Sequence, residues 1–177
     1  MNTKDMDKPI ANSYWVQQGH LLAGEYPGAR DEAGARLKLS LFVSAGITAF
    51  IDLTEEGELG PYSGLLPNAI ESDGDSITYD RMPIKDLGVP TSPAMSKILE
   101  RVNILLKNGV VVYVHCWGGI GRTGTVIGCY MVQEMGMSGS EALMRIEELR
   151  NGVPDTSRRS PETEEQRDMV LKWGSAL

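Results

Sequence analysis

The chain has 177 residues, 41% hydrophobic and 23% charged, which suits one domain with an ordinary core. A chain of this size buries roughly 70% of its unfolded surface, so folding needs neither a metal nor a disulfide staple. With 17 basic against 24 acidic residues the net charge is -7, a field that repels polyanions and argues against nucleic acid or an acidic membrane as partner.

Two cysteines, Cys116 and Cys129, make neither a disulfide framework nor a set of paired zinc ligands, and no metal or cofactor is expected. The N-terminal MNTKDMDKPIANSYW lacks the apolar run of a signal peptide, and no stretch approaches the roughly 18 apolar residues of a spanning helix. The expectation is a soluble, cytoplasmic protein in a reducing setting.

Residues 1–12 are polar and predicted to be flexible, with one domain over 13–177. Tyr14 to Val16 and Leu21 to Ala23 flank a Gly-His turn and read as a hairpin. Asp31 to Ala45 reads as a helix that carries Leu37, Leu41 and Phe42, closed by Gly46. Ile47 to Leu53 reads as a buried strand, and Thr54 to Ser76, rich in Gly, Pro, Asn, Asp and Ser, as an irregular loop with one helical turn. Ile77 to Met82 is a weaker strand. Ser92-Pro93 opens a helix with an apolar stripe through Ala94, Ile98, Val102, Leu105 and Leu106, stopped at Asn108-Gly109.

Val110 to Val114 is the strongest strand, and its continuous apolar, β-branched character suits a central parallel position covered on both faces. A buried helix from Thr123 to Met135 follows a glycine-rich loop. Ser138-x-x-Glu141 opens another helix with a capping box, and Ser160-Pro161 is expected to cap the last, packed through Met169, Val170 and Trp173. Strands alternating with helices predict an α/β fold: a mainly parallel central sheet flanked by helices on both faces.

Residues 115–125, HCWGGIGRTGT, carry the chemistry. Glycines at 118, 119 and 121 permit backbone angles that turn successive N–H groups inward as an anion nest. The helix that follows adds its positive N-terminal end, and the planar guanidinium of Arg122 can hold two phosphate oxygens at once. Trp117, Gly118, Gly119, Ile120, Gly121 and Arg122 are therefore the candidate phosphate-binding residues. The same surroundings favour a thiolate at Cys116, placed to attack phosphorus in line. The bland alternative, an inert buried thiol, does not account for the strand, glycine loop, arginine and helix arriving in that order.

A leaving oxygen needs a proton, and Asp86 in PIKDLGVPT is the candidate donor, on a Pro- and Gly-flanked loop able to overhang the pocket. Thr123 is a candidate hydrogen-bond partner for the sulfur, with a helix cap as its alternative role. His115 is expected to orient the loop backbone. Cys129 and the tryptophans outside the loop read as packing. Trp117 either walls the pocket or faces the protein.

The loop HCWGGIGRTG matches the H-C-x5-R-[ST] pattern, and together with PIKDLGVPT it resembles the dual-specificity branch of the cysteine-based protein phosphatases. That resemblance implies Cys116 as nucleophile, Arg122 as transition-state clamp, Asp86 as general acid and Thr123 as thiolate partner. The implied substrate is a phosphorylated protein, with a small soluble phosphate ester as the alternative. The loop contains no lysine, which argues against a polyanionic lipid head group. Rhodanese-type sulfurtransferases use a shorter loop, and arsenate reductases and low-molecular-weight phosphatases place the cysteine near the N-terminus. A silent phosphate-binding module typically lacks the cysteine. The tail SPETEEQ reads mainly as a solvated helix face, with a site near the pocket as the lesser reading for Gln166.

Overall fold

The computed structural model describes residues 8–66 and 77–174. Residues 1–7 of the segment expected to be flexible, and 67–76 of the predicted loop, lie outside the described residues. In chain order come β1 (Ser13–Gln17), β2 (Leu21–Gly24), α1 (Glu32–Ser44), β3 (Ala49–Asp52), a 3-10 turn (Ser63–Leu65) and β4 (Thr78–Arg81). Then follow α2 (Ser92–Lys107), β5 (Val112–His115), α3 (Gly121–Met135), α4 (Gly139–Leu149) and α5 (Glu164–Lys172). The sheet order is β1-β2-β5-β3-β4, with β1 antiparallel to β2 and the other pairs parallel.

Strand β5 is central and wholly buried, as its apolar run predicts. Alternation along the strands divides the core in two. Leu22, Phe50 and Tyr113 point toward α1 and meet Leu39 and Phe42. Leu21, Ala23, Ala49, Ile51, Val112 and Val114 point the other way, toward α2, α3, α4 and α5. Helices therefore cover both faces. Among the described residues no helix is long and apolar enough to cross a membrane.

Three local expectations are corrected. Helix α1 buries Ala35, Leu39 and Phe42, whose i, i+4, i+7 spacing makes one face, so Leu37 and Leu41 point to solvent. Helix α2 is capped one residue early, by Thr91, whose hydroxyl accepts from the Ala94 N–H; its stripe runs through Met95, Ile98, Leu99, Val102 and Leu105. Helix α5 is capped by Thr163 in a box with Gln166 rather than by Ser160-Pro161. The box predicted at Ser138 and Glu141 is present.

Candidate active site

The glycine-rich loop leaves the carboxyl end of the central strand, where open α/β sheets bind ligands. Gly119 has φ +69°, and a Cβ there would lie 2.3 Å from the Gly24 carbonyl carbon, so only glycine lets the loop seat against the end of β2. The Tyr26 N–H donates to the Trp117 carbonyl at 2.8 Å. From the other side the Ser160 hydroxyl donates to the Ile120 carbonyl at 2.7 Å. A Cβ on Gly124 would meet that hydroxyl oxygen at 2.3 Å, so this glycine lets the 160 segment reach α3. Helix α3 begins at Gly121 with no capping side chain, which leaves its first N–H groups for an anion.

Cys116 and Arg122 are 3% and 2% exposed at the floor of a cavity of about 340 Å³. Asp86, Leu87, Trp117, Arg158 and Gln166 contribute to its walls. Arg122 donates to both carboxylate oxygens of Glu58, at 2.7 and 2.6 Å, and to the Ile84 carbonyl at 3.2 Å; Asp86 Oδ1 lies 3.1 Å from its Nη2. Glu58 thus grips the Nη1–Nη2 edge and leaves Nε without a partner among the described residues. The hydrogen bond from Arg122 holds the Glu58 carboxyl below its usual range. Burial pulls the Arg122 value down, but the Glu58 hydrogen bond and the charges of Cys116, Glu58 and Asp86 outweigh it.

Beneath the loop, His115 is fully buried between Tyr62 Oη, 2.6 Å from its Nε2, and the Cys116 carbonyl, 3.0 Å from its Nδ1. A carbonyl only accepts, so Nδ1 carries the proton and the Tyr62 hydroxyl donates to Nε2. Burial pushes the imidazole below its ordinary range despite Asp52, whose Oδ1 is 3.9 Å away. Burial also pushes Asp52 up. The charge of His115 and hydrogen bonds from Thr54 and Tyr79 pull it down further, for a net lowering. With His115 neutral, the carboxylate of Asp52 is faced by the Thr54 and Tyr79 hydrogen bonds and by the Arg81 guanidinium, 3.6 Å from its Oδ2.

The aspartate loop is held differently. Asp86 is 58% exposed, and Leu87, itself exposed, adopts the left-handed backbone at φ 59°. Gln166 is fully buried: its Oε1 accepts from the Glu162 and Thr163 N–H groups, and its Nε2 donates to the Gly88 carbonyl at 3.1 Å. The solvated-face reading of Gln166 is corrected by this, because the α5 cap turns it inward onto the loop.

Residues 10–170 match the family described as Swiss Army Knife protein, DSP-PTPase phosphatase domain. The chain belongs to this family. It is 30% identical over 149 residues to the phosphatidylglycerophosphate phosphatase PTPMT2 of Arabidopsis thaliana, covering 79% of this chain and 57% of that protein. It is 32% identical over 91 residues to the human (Homo sapiens) cyclin-dependent kinase inhibitor 3, covering 50% of this chain and 42% of that protein. Among solved structures, the fold is shared with Tk-PTP in its active form, TM-score 0.72 and 23% identity over 94% and 98% of the two chains. A kinase-associated phosphatase with its catalytic cysteine replaced by serine gives 0.68 and 22%, over 89% and 86%.

In this phosphatase domain the cavity brings together Cys116, Trp117, Gly118, Ile120, Gly121, Arg122 and Asp86. Gly119 stands behind the loop against β2, and Thr123 is buried below it. The Thr123 hydroxyl has no hydrogen-bond partner among the described residues. Trp117 is 59% exposed and walls the cavity. Cys129 packs inside α3, its thiol pushed up by burial to about 12. Sequence reading did not find Glu58, Tyr62, Asp52 or Arg158. Each acts on residues far along the chain. For Gln166 the Thr-x-x-Gln spacing of a capping box was the available signal.

Proposed function

We propose that the chain hydrolyses phosphomonoesters through a cysteinyl-phosphate at Cys116, as a tyrosine or dual-specificity phosphatase. The observation that carries this is the convergence on one cavity of a buried thiol, a buried arginine, a helix N-terminus and a carboxylate from a separate loop. In the first step the Cys116 thiolate attacks phosphorus, the bond from phosphorus to the ester oxygen breaks, and Asp86 gives its proton to that oxygen. In the second, water attacks phosphorus, Asp86 takes a proton from it, and the S–P bond breaks to return thiolate and inorganic phosphate.

The loop N–H groups and Arg122 hold the phosphoryl oxygens through both steps. The uncommitted Thr123 hydroxyl is available to hydrogen-bond the departing sulfur. A thiolate of this kind works in a reducing compartment, and the cytoplasm supplies one. The phosphoryl donor is a phosphorylated protein side chain in this reading. A second reading, a small phosphate ester or head group, is favoured by the additional cation Arg158 in the cavity wall. The name of the plant relative, a phosphatidylglycerophosphate phosphatase, points the same way.

Cys116→Ser tests the mechanism. It is expected to abolish turnover of p-nitrophenyl phosphate while vanadate binding stays measurable by calorimetry, and wild-type turnover in that variant would end the proposal.

A further inference from the structure

Arg158 is a second cation in the cavity that neither the phosphate cradle nor the proton-transfer step uses. It sits on a segment that is firmly placed. Buried Arg150 donates to the Arg158 carbonyl at 2.7 Å and to the Asp155 carbonyl at 3.0 Å. Two residues on, Ser160 is hydrogen-bonded to the glycine-rich loop itself. The backbone that carries Arg158 is therefore pinned to the floor of the site, while its side chain stays 52% exposed.

The guanidinium is only partly engaged. Nη2 donates to Glu162 at 2.6 Å. Nη1 makes no hydrogen bond among the described residues and lies 3.8 Å from where a Gly118 Cβ would stand. An open N–H donor thus faces the cavity one contact away from the loop that receives the scissile phosphate. Its charge also reaches the reacting sulfur, since Cys116 contributes to raising the Arg158 value, after the Glu162 hydrogen bond as the main cause and against the pull of burial.

Most acids of the cavity already have counter-ions. Glu25 is paired with Lys38 at 3.0 Å, Asp86 with Arg122 at 3.1 Å and Glu162 with Arg158 at 2.6 Å. Asp155, which also acts on Arg158, has no ion pair among the described residues. Glu162 therefore holds Arg158 in a rim pair of the weak, solvent-screened kind that an incoming anion can replace.

Resting on the phosphatase reading above, we propose that Arg158 is a specificity-determining residue that binds a second anionic group of the substrate. The substrate class is a polyol phosphate carrying a further phosphate, as a soluble bisphosphate or as a lipid head group joined through a phosphodiester. Proximity to Gly118 selects this class, because the second charge must sit a few bonds from the scissile phosphorus. The loop itself has no lysine for a second phosphate, and the structure supplies the charge from the segment after α4 instead.

The test compares kcat/KM of wild type and Arg158→Ala on p-nitrophenyl phosphate, a phosphotyrosine peptide with acidic neighbours, glucose 1,6-bisphosphate, and phosphatidylcholine vesicles bearing phosphatidylglycerophosphate. Among the described residues the Arg158 side chain hydrogen-bonds only to Glu162, so the variant is expected to fold; a thermal melt checks it. The preference for a two-phosphate substrate over p-nitrophenyl phosphate is expected to fall about 10-fold, through KM, as for loss of a charged hydrogen bond. Glu162→Gln is expected to lower that KM by freeing Arg158. A fall confined to glucose 1,6-bisphosphate assigns the soluble source, and one confined to the vesicles assigns the head group. Equal losses on all substrates, no loss, or a loss seen only on the peptide would overturn the proposal while leaving the phosphatase reading intact. Turnover in Cys116→Ser would remove that reading separately.

Discussion

The cysteine loop and the aspartate loop face each other across one cavity, yet they are secured by different physics. The cysteine loop is held by packing, a main-chain bond and fully buried side chains: Gly119 pressed against β2, the Trp117 carbonyl on the Tyr26 N–H, the Ile120 carbonyl on the Ser160 hydroxyl, and the Cys116 carbonyl on His115 below. The aspartate loop is exposed and is held by side chains that reach it from elsewhere, Arg122 at Ile84 and Asp86 and Gln166 at Gly88. Interior packing resists perturbation because nothing can move without opening a void, whereas a loop held by hydrogen bonds can be released one bond at a time. The nucleophile is thus fixed by the fold, and the proton donor by a few replaceable contacts.

Substitution at the donor is expected to give the largest effect on the aspartate side. Asp86→Asn should slow kcat by roughly 10²–10⁴-fold on alkyl and tyrosyl phosphates, and less on activated aryl phosphates whose leaving oxygen needs little help. Equal losses on both substrate types, read by steady-state rates, would take Asp86 out of the acid role. Asp80 does not then step in directly, because it is engaged with Arg101 at 2.8 Å.

A smaller effect should follow from releasing the loop without touching the donor. Gln166→Glu keeps the oxygen that accepts from Glu162 and Thr163, and with it the helix cap, but removes the donor to the Gly88 carbonyl. The expected result is a lowered melting temperature, since a buried carboxylate replaces a buried amide, with about a tenfold loss on poor leaving groups, the scale of one or two kcal/mol for a lost hydrogen bond. In an Asp86→Asn background the same change should cost nothing further, since both act on one proton transfer. An additive loss would show that Gln166 works on some other step.

The smallest effect belongs to the cysteine side and is one of stability. His115 is held neutral by burial, its native pKa below the unfolded value of about 6.5. Stability is full above that pH. It falls as pH drops toward the native pKa, because the unfolded chain takes up a proton that the native state refuses, and it levels off below. Asp52 and Glu58, both held low, lose their contributions only further down, below about pH 4. The melting temperature should therefore decline as pH falls below about 6.5, and His115→Gln should flatten that decline even if it lowers the melting temperature throughout. A slope unchanged by the substitution would place the titrating group elsewhere.

Legibility followed the range of the interaction. The α/β order, the central place of β5, the hairpin and the box at Ser138 were all readable, since each is written in neighbouring residues or in a short period. The misreadings at Leu37 and Leu41 arise because which face of a helix is buried is decided by the surface it lands on, whereas the α5 cap at Thr163 carried a local signal of its own, the Thr-x-x-Gln box that Ser160-Pro161 lacks.

By itself the sequence determined the glycine-rich cysteine loop between strand and helix, because backbone freedom, an uncapped helix start and an adjacent arginine are local properties of eleven consecutive residues, 115–125. Only the tertiary structure decided what surrounds that loop. Glu58 meets Arg122 across 64 residues and Gln166 meets Gly88 across 78, and Arg158 comes up beside Gly118 from beyond α4. No local rule encodes such meetings: they exist because the parallel sheet brings the ends of distant segments to one edge, and packing then chooses which polar groups must satisfy one another there.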